Sequence, residues 1–248
     1  MKDALTETKT AGIIIIGNEI LSGKVKDANS FFLASELRAL GVSVRRISVI
    51  PDDIETIGAE AVHFSESYDY VFTSGGVGPT HDDITMEGIA TGFGVRLIRH
   101  PELVARFRKR YGDSANAAVL KMAEVPEGTK IIDLGSSSFP VVSFRNIFIF
   151  PGIPKYLMDK FILIKERFRL SCFYLKRFFL LAEETDIAAI LNAVVADNIG
   201  VTFGSYPIMG NPEYKIIITA ESKTEDSINK AAKEFLMKIP KEMVVRIE

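Results

Sequence analysis

The stretch that decides the fold is residues 70–85, Tyr-Val-Phe-Thr-Ser-Gly-Gly-Val-Gly-Pro-Thr-His-Asp-Asp-Ile-Thr. It begins as a short apolar run and passes directly into a glycine-rich turn, which is typical of a buried strand followed by a tight turn. Glycines have no Cβ atom, so their backbone N–H groups can approach an anion closely. Hydroxyl and carboxylate side chains accompany the glycines, at Thr73, Ser74, Thr80, Asp82 and Asp83. The stretch therefore predicts a site for a nucleotide or another phosphorylated ligand.

Strand and helix patterns alternate around this stretch. Residues 12–17 form a run of isoleucines between two glycines, typical of a strand buried on both faces. A helical pattern over 29–40, an alternating strand pattern over 42–50 and a helix over 54–64 follow. Asp52 and Glu55 stand at capping-box spacing, so we expect Asp52 to cap that last helix. The alternation predicts an α/β fold, a doubly wound, mostly parallel sheet in three layers with right-handed crossovers.

The pattern changes after Arg169. Before it, residues 101–111 are helical, 130–134 and 141–150 are strand-like, and 155–165 are helical. Beyond it, strands over 172–181, 200–206, 214–220 and 244–247 and helices over 186–197 and 225–238 give the order βαββαβ. That order is typical of a small ferredoxin-like α+β domain. The sequence therefore predicts two domains, 1–169 and 170–248.

Composition excludes several classes of partner and site. The chain has 248 residues and a net charge of −2, so it has no basic field and nucleic acid is not expected as a partner. Cys172 is the single cysteine, which excludes an internal disulfide and agrees with a cytoplasmic location. Residues 1–9 lack the apolar core of a signal peptide. Six charged residues interrupt the apolar stretch 161–181, so a membrane is not expected as a partner either.

Polar groups follow four of the predicted strands, where each strand ends. They are Asn18-Glu19, Asp52-Asp53, the turn from Ser74 to Asp83, and Gly152. Because ligands of open α/β sheets bind beyond the carboxyl ends of the strands, we expect these groups to lie at one edge. The glycine turn would hold a phosphate, and the carboxylates would hold a hard divalent cation, which prefers oxygen ligands.

Each of these groups also has a structural interpretation. The glycines can form a tight turn without a ligand, and Glu19 can be an ordinary surface carboxylate. Either Asp82 or Asp83 can cap the following helix while its neighbour faces the site, and the sequence leaves that choice open. If Asp52 is the cap of its helix, Asp53 is the better candidate for binding a metal or orienting a water.

Other familiar chemistries have no counterpart in the sequence. The three histidines, His63, His81 and His100, lack the spacing of zinc ligands, and only His81 lies in the glycine turn. A nucleophile elbow, a Walker lysine motif and a dinucleotide glycine motif are absent from the sequence. No residue of the chain is therefore predicted to act as a nucleophile.

The sequence resembles the molybdopterin-binding domain shared by molybdenum-cofactor adenylyltransferases and competence/damage-inducible protein A (CinA). The resemblance lies in residues 17–24, 27–30, 51–53, 74–85 and 150–154. Residues 139–143, 146–148, 204–207 and 211–214 are more similar to the N-terminal half of eukaryotic-type FAD synthases. The second, adenylyltransferase half of those enzymes has no counterpart, so FAD synthesis is not expected from this chain.

The resemblance implies a metal-dependent hydrolase of nucleotide pyrophosphates, acting on FAD or on ADP-ribose. Carried over residue by residue, Asp53, Asp82 and Asp83 would be catalytic, and Glu19, Asp53 and Asp82 would bind Mg²⁺, Mn²⁺ or Co²⁺. Phosphate or nucleotide would be bound by Asn18, Glu19, Ser74, Gly75, Gly76, Gly78, Thr80 and Gly152. Residues 135–140 replace the Gly-Thr-x-Pro-Gly turn typical of CinA, which weakens the expectation of a CinA-like substrate.

Three alternatives stay open at this point. The domain can be a module that binds a nucleotide or a pterin such as molybdopterin and catalyses nothing. It can be a molybdopterin adenylyltransferase that uses ATP. It can also be a regulatory or assembly subunit, although clustered carboxylates that repel one another argue against a purely structural role. The resemblance also implies a homo-oligomer.

Overall fold

The computed structural model describes residues 9–133, 135, 139–170 and 173–248. The described residues form two compact units, 9–170 and 173–248, and each is described by itself. The sequence places the domain boundary after Arg169, one residue before the end of the first unit. Cys172, interpreted as the start of a strand, and 136–138 of the segment 135–140 lie outside the described residues.

The first unit alternates strands and helices as the sequence predicts. Its strands are β1 (Thr10–Ile16), β2 (Ser43–Ile50), β3 (Tyr70–Ser74), β4 (Leu97–Arg99), β5 (Glu124–Pro126), β6 (Lys130–Ile132), β7 (Val141–Phe144) and β8 (Ile147–Phe150). Its helices are α1 (Asn18–Leu21), α2 (Asn29–Ala39), α3 (Ile54–Ser67), α4 (Thr85–Gly92), α5 (Pro101–Tyr111), α6 (Ala117–Lys121) and α7 (Pro154–Ile164).

Six strands of the described residues form the central sheet of this unit, in the order β2-β1-β3-β8-β7-β6. The pairs β1–β2, β1–β3 and β3–β8 are parallel, and β7 is antiparallel to both of its neighbours. The mostly parallel sheet is thereby confirmed. Two short strands, β4 and β5, pair separately, and the sequence analysis missed both of them.

The three layers follow from the alternation of side chains along β1. Ile13 and Ile15 pack in one core with residues of α2 and α7, such as Leu33 and Phe161. Ile14 and Ile16 pack in a second core with residues of α3 and α4. Successive side chains of a strand point to opposite faces, so helices cover both faces of the sheet. The doubly wound fold is confirmed.

One strand prediction is wrong. Residues 141–150 form an antiparallel hairpin, β7 and β8, rather than one continuous strand. The chain reverses at Arg145, which has a φ of 52°, and at Asn146. The Asn146 amide donates to the carbonyl oxygens of Ser65 (3.0 Å) and Tyr68 (2.8 Å) at the end of α3. These long-range bonds fix the turn, so the apolar pattern alone could not reveal it.

The second unit is the predicted βαββαβ domain. It contains β9 (Tyr174–Leu180), α8 (Glu184–Asp197), β10 (Thr202–Pro207), β11 (Ile216–Ser222), α9 (Glu225–Lys238) and β12 (Val244–Ile247). The sheet order is β10-β11-β9-β12, and all of its pairs are antiparallel. One face of β11 packs with both helices in a core that includes Ile218, Val194 and Phe235. Among the described residues of either unit, no helix has the length and apolarity needed to cross a membrane.

Candidate functional site

The carboxyl ends of the parallel strands meet at one edge of the central sheet, as predicted. Beyond β1, the Gly17 N–H donates to the Ile50 carbonyl at the end of β2 (3.1 Å). Beyond β3, the Gly75 N–H donates to the Phe150 carbonyl at the end of β8 (3.2 Å). The edge therefore joins the segments that follow β1, β2, β3 and β8.

Asn29 connects three of these segments. Its side-chain amide donates to the Ser74 hydroxyl (2.9 Å) and to the Gly152 carbonyl (2.7 Å). Asn29 and Ser74 are buried, so the bond between them is shielded from solvent, whereas Gly152 is exposed. The side-chain oxygen of Asn29, Oδ1, is also buried, yet it has no hydrogen-bond partner in the described structure. Sequence reasoning gave Asn29 no role, although residues 27–30 belong to the segments that carry the family resemblance.

The glycine turn after β3 depends on two left-handed residues, Gly75 (φ +115°) and Gly76 (φ +62°). A Cβ atom on Gly75 would lie 2.0 Å from the Ile16 carbonyl oxygen, and one on Gly76 would lie 2.3 Å from the Thr85 hydroxyl. Thr85 is fully buried and donates to the Gly75 carbonyl (2.9 Å). Packing alone thus requires glycine at both positions, as the structural interpretation supposes.

The same turn also presents free donors. Among the described residues, the backbone N–H groups of Gly76, Val77 and Gly78 have no protein acceptor. All three residues line a small cavity of about 40 Å³, together with Asp83 and Lys121. Successive free N–H groups in a glycine turn are a typical anion-binding arrangement. The turn is therefore both a packed structural element and a candidate phosphate site.

Asp83 closes the end of the turn. Its carboxylate accepts from the Thr80 N–H (2.8 Å) and the Thr80 hydroxyl (2.5 Å). Helix α4 begins after Ile84 without a side-chain cap, so neither Asp82 nor Asp83 caps it, and that expectation is wrong. In this arrangement both Thr80 donors are occupied by Asp83 rather than free for a phosphate.

Asp82 is the more available carboxylate of the pair. Its side chain is 60% exposed, and the His81 Nδ1 lies 3.9 Å from one of its carboxylate oxygens. Its pKa lies below the ordinary value, because of hydrogen bonding by Thr80 first and by its own backbone N–H next. The single Thr80 hydroxyl proton can serve only one of the two carboxylates at a time. Asp82 is therefore anionic at neutral pH and open to a ligand.

The capping prediction at α3 is also wrong. Asp53, rather than Asp52, is the N-cap, and its carboxylate accepts from the N–H (2.8 Å) and hydroxyl (2.6 Å) of Thr56. These two bonds hold the pKa of Asp53 below its ordinary value, the hydroxyl contributing most. Asp52 instead accepts from the Asn18 N–H (2.8 Å), across the edge of the sheet. The sequence favours Asp53 over Asp52 as a ligand because Asp52 is expected to be the cap, and that reason no longer holds.

Glu19 and Asn18 lie in α1, directly after β1. The Glu19 carboxylate lies against Gly17, within 2.6–2.8 Å of where a Cβ atom on Gly17 would be. Glu19 is exposed, so a ligand can reach it. The structure thus places Asn18, Glu19 and Asp52 on the β1–β2 side of the edge.

The carboxylates do not form a preassembled metal cage. In the described part of the chain, no group of three or more His, Cys, Asp or Glu side chains is placed to hold a metal ion. The described acids of this edge therefore do not converge on one point in a group of three.

Lys121 is a residue of this site that sequence reasoning missed. It ends helix α6, and its ammonium donates to the Thr80 carbonyl of the glycine turn. The two residues are 41 positions apart, and no motif connects them. Only the fold of residues 93–126, outside the central sheet, brings this cation to the turn.

Comparison with known proteins identifies the family. A family model described as "probable molybdopterin binding domain" matches residues 12–169. The chain belongs to this molybdopterin-binding domain family. A second model, described as "FAD synthase, middle domain", matches residues 172–248. The two matches correspond to the resemblance identified in the sequence, which is confirmed.

Several relatives of this molybdopterin-binding domain protein span both parts of the chain. A probable FAD synthase of Caenorhabditis elegans is 36% identical over 255 residues, covering 90% of this chain and 49% of that protein. A protein of Archaeoglobus fulgidus is 35% identical over 225 residues, covering 90% of this chain and 95% of the relative. The chain spans about half the length of the FAD synthases that it matches.

A solved structure supports the same fold. The crystal structure of the protein CinA, of unknown function, from Thermoplasma acidophilum has a TM-score of 0.60 and 33% identity. The matched region covers 65% of this chain and 98% of the CinA chain. The molybdopterin-binding domain protein thus has relatives named FAD synthase and CinA.

Proposed function

We propose that this protein is a divalent-metal-dependent nucleotide pyrophosphatase, which splits FAD into FMN and AMP or acts similarly on ADP-ribose. The observation that carries the proposal is the row of free N–H groups at Gly76, Val77 and Gly78, beside the available carboxylate of Asp82. Similarity of the chain to proteins named FAD synthase supports a flavin nucleotide as the substrate.

In the proposed reaction, one water adds to a phosphorus atom of the diphosphate and the anhydride P–O bond breaks. The leaving phosphate oxygen keeps the electron pair, so FAD and water give FMN and AMP. The free N–H groups of the glycine turn would hold the phosphate oxygens and stabilise their developing charge. Asp82, which is anionic at neutral pH, would accept a hydrogen bond from the attacking water and orient it, and the proton that the water loses would pass through this carboxylate to solvent.

The metal would be held jointly by protein and substrate. Mg²⁺ is commonly bound through one or two carboxylates together with substrate phosphates, so a cage of protein ligands is not required. The lack of a three-ligand group among the described residues suits that shared mode. Bound there, a divalent cation would polarise the phosphoryl oxygens. Its protein ligands would be the free carboxylate oxygens of one or two of Asp82, Glu19 and Asp53.

A module that binds a nucleotide or a pterin such as molybdopterin without turnover is the second candidate. One observation favours it: Asp53 and Asp83 already use their carboxylates in local hydrogen bonds, as a helix cap and as a turn closure. A molybdopterin adenylyltransferase would use the same phosphate site, and products distinguish the three.

The test is an incubation of the purified protein with FAD, ADP-ribose, or ATP with molybdopterin, each with Mg²⁺, Mn²⁺ or Co²⁺. Chromatography should show FMN and AMP from FAD, or AMP and ribose phosphate from ADP-ribose, and EDTA should suppress both. Adenylylated pterin would favour the transferase. Binding without any product would favour the module.

Variants assign the role of Asp82. Asp82→Asn keeps the size of the side chain and removes its charge, so we expect turnover to fall at least ~100-fold, as for a general base. Asp113→Asn is the matched control, since Asp113 is exposed and distant in sequence from the turn. Wild-type turnover in Asp82→Asn would show that Asp82 is not the residue that orients the water.

A further inference from the structure

The cavity beside the glycine turn has ten described lining residues, and four of them carry a charged side chain. Asp83, Glu87 and Glu124 contribute carboxylates, and Lys121 is the one cation among the described lining residues. A bare diphosphate would be repelled by three carboxylates, so the position of the single positive charge decides whether an anion can enter. Gly76, Val77 and Gly78, whose backbone N–H groups have no protein acceptor among the described residues, line this same cavity.

The ammonium group of Lys121 is held by one hydrogen bond and has further N–H donors available. It donates to the Thr80 carbonyl, and among the described residues it has no other hydrogen-bond or ion-pair partner. An ammonium group has three N–H donors, so two remain for a ligand. The positive charge of Lys121 also lowers the pKa of Asp82, although the hydrogen bonds to that carboxylate contribute more. The electrostatic field of Lys121 therefore reaches the Asp82 side of the turn.

The size of the cavity limits what can enter. A volume of about 40 Å³ accommodates one or two groups the size of a water molecule, which occupies roughly 30 Å³ in the liquid. It can therefore take the oxygens of a phosphate. A diphosphate entering from the open side would meet the glycine N–H groups and Lys121 together.

We propose that Lys121 binds the diphosphate of the substrate: the Thr80 carbonyl positions its ammonium, and its two remaining N–H groups donate to a phosphate oxygen. This inference rests on the proposed diphosphate chemistry and adds a cation that the sequence motifs do not contain. The acidic lining attracts the metal ion that accompanies a diphosphate, while Lys121 pairs with the anion itself.

The experiment is calorimetric titration of the full chain with inorganic pyrophosphate and MgCl₂. Lys121→Gln keeps an N–H donor for the Thr80 carbonyl and removes the charge, so we expect pyrophosphate to bind ~10–100-fold more weakly, the range for a hydrogen bond to a charged group. Lys121→Arg keeps the charge and should bind within about threefold of wild type. Lys130→Gln, at an exposed residue of β6, is the control and should bind as wild type does.

A second measurement uses the wild-type protein and does not depend on how a variant folds. Acetylation of lysines, read by mass spectrometry, should slow at Lys121 when pyrophosphate is saturating and remain unchanged at Lys130. Equal pyrophosphate affinity in Lys121→Gln and wild type, unchanged acetylation at Lys121, or no pyrophosphate binding by wild type would each overturn the inference.

The outcomes also separate this inference from the proposed function. Weaker binding in Lys121→Gln, with no hydrolysis of FAD or ADP-ribose by wild type, would support Lys121 as a phosphate ligand and refute the pyrophosphatase. Hydrolysis by wild type and equal binding by both proteins would do the reverse.

Discussion

Replacing Gly76 by alanine tests how much stability the glycine turn depends on. Gly76 and Gly94 have nearly identical φ angles, +62° and +63°, so alanine pays the same left-handed cost at both, about 1–2 kcal/mol. The surroundings differ. A Cβ atom on Gly76 lies 2.3 Å from the Thr85 hydroxyl, whereas one on Gly94 has no atom within 4 Å.

The extra cost at Gly76 follows from the contact with Thr85. The hydroxyl must move by about 1 Å, which breaks its hydrogen bond to the Gly75 carbonyl and leaves buried polar groups unpaired, at about 1–3 kcal/mol. We therefore expect Gly76→Ala to lower the free energy of unfolding by about 2–5 kcal/mol and Gly94→Ala by about 1–2 kcal/mol. At roughly 2–4 °C per kcal/mol, calorimetry should separate the two midpoints by several degrees.

A double-mutant cycle with Thr85→Ala isolates the contact. Removing the hydroxyl removes the clash, so the Gly76→Ala cost in the Thr85→Ala background should fall to the value at Gly94, a coupling of about 1–3 kcal/mol. Equal midpoints for Gly76→Ala and Gly94→Ala, or additive costs in the cycle, would refute the reasoning. The turn would then be held by something other than this packing.

Two further predictions concern ionisable groups outside the glycine turn. Asp53→Ala should lower the thermal midpoint more than Asp52→Ala does, because Asp53 caps α3. The pKa of Asp53 is lowered in the folded protein, so its carboxylate stabilises the fold only where it is ionised. The difference in midpoint between Asp53→Ala and wild type should therefore be largest at neutral pH and shrink as the pH falls below about 4. The reverse order of midpoints would restore Asp52 as the cap. Lys160 donates to the Phe139 and Pro140 carbonyls, and burial lowers its pKa to about 8. The unfolded chain therefore binds more protons than the folded protein between pH 8 and about 10.4, so the Lys160 contribution to stability should rise over that range. Urea unfolding of wild type and Lys160→Met at each pH measures it, and a constant difference between the two proteins would contradict the pKa.

Periodicity was enough to predict the fold class. The isoleucines of β1 alternate between two cores, and the apolar spacing of α2 and α3 matches the faces that they bury. The βαββαβ order of residues 173–248 follows from the same patterns. These features are local, so each is contained in a window of ten to fifteen residues.

Two of the failures have a different cause, which is that the deciding partner lies far along the chain. The turn at Arg145 and Asn146 is fixed by carbonyls of α3, about 80 residues earlier. Asp52 has the spacing of a cap, but its carboxylate accepts a hydrogen bond from the Asn18 N–H, 34 residues away. A spacing rule compares near neighbours, so it cannot rank a local partner against one supplied by the tertiary fold.

The same competition links the packing of the site to its chemistry. Thr80 gives both of its donors to Asp83, yet the family resemblance assigns Thr80 to a phosphate. A hydroxyl and an N–H each carry one proton, so a phosphate that takes these donors must release the Asp83 carboxylate. The released carboxylate would lie in the cavity beside the glycine N–H groups, where a cation accompanying the phosphate can use it. Under the proposed function, Asp83 would close the turn when no ligand is bound and would be available to the accompanying cation when a phosphate takes the Thr80 donors. Such a site would be completed by its substrate, as Mg²⁺ sites shared by carboxylates and substrate phosphates are.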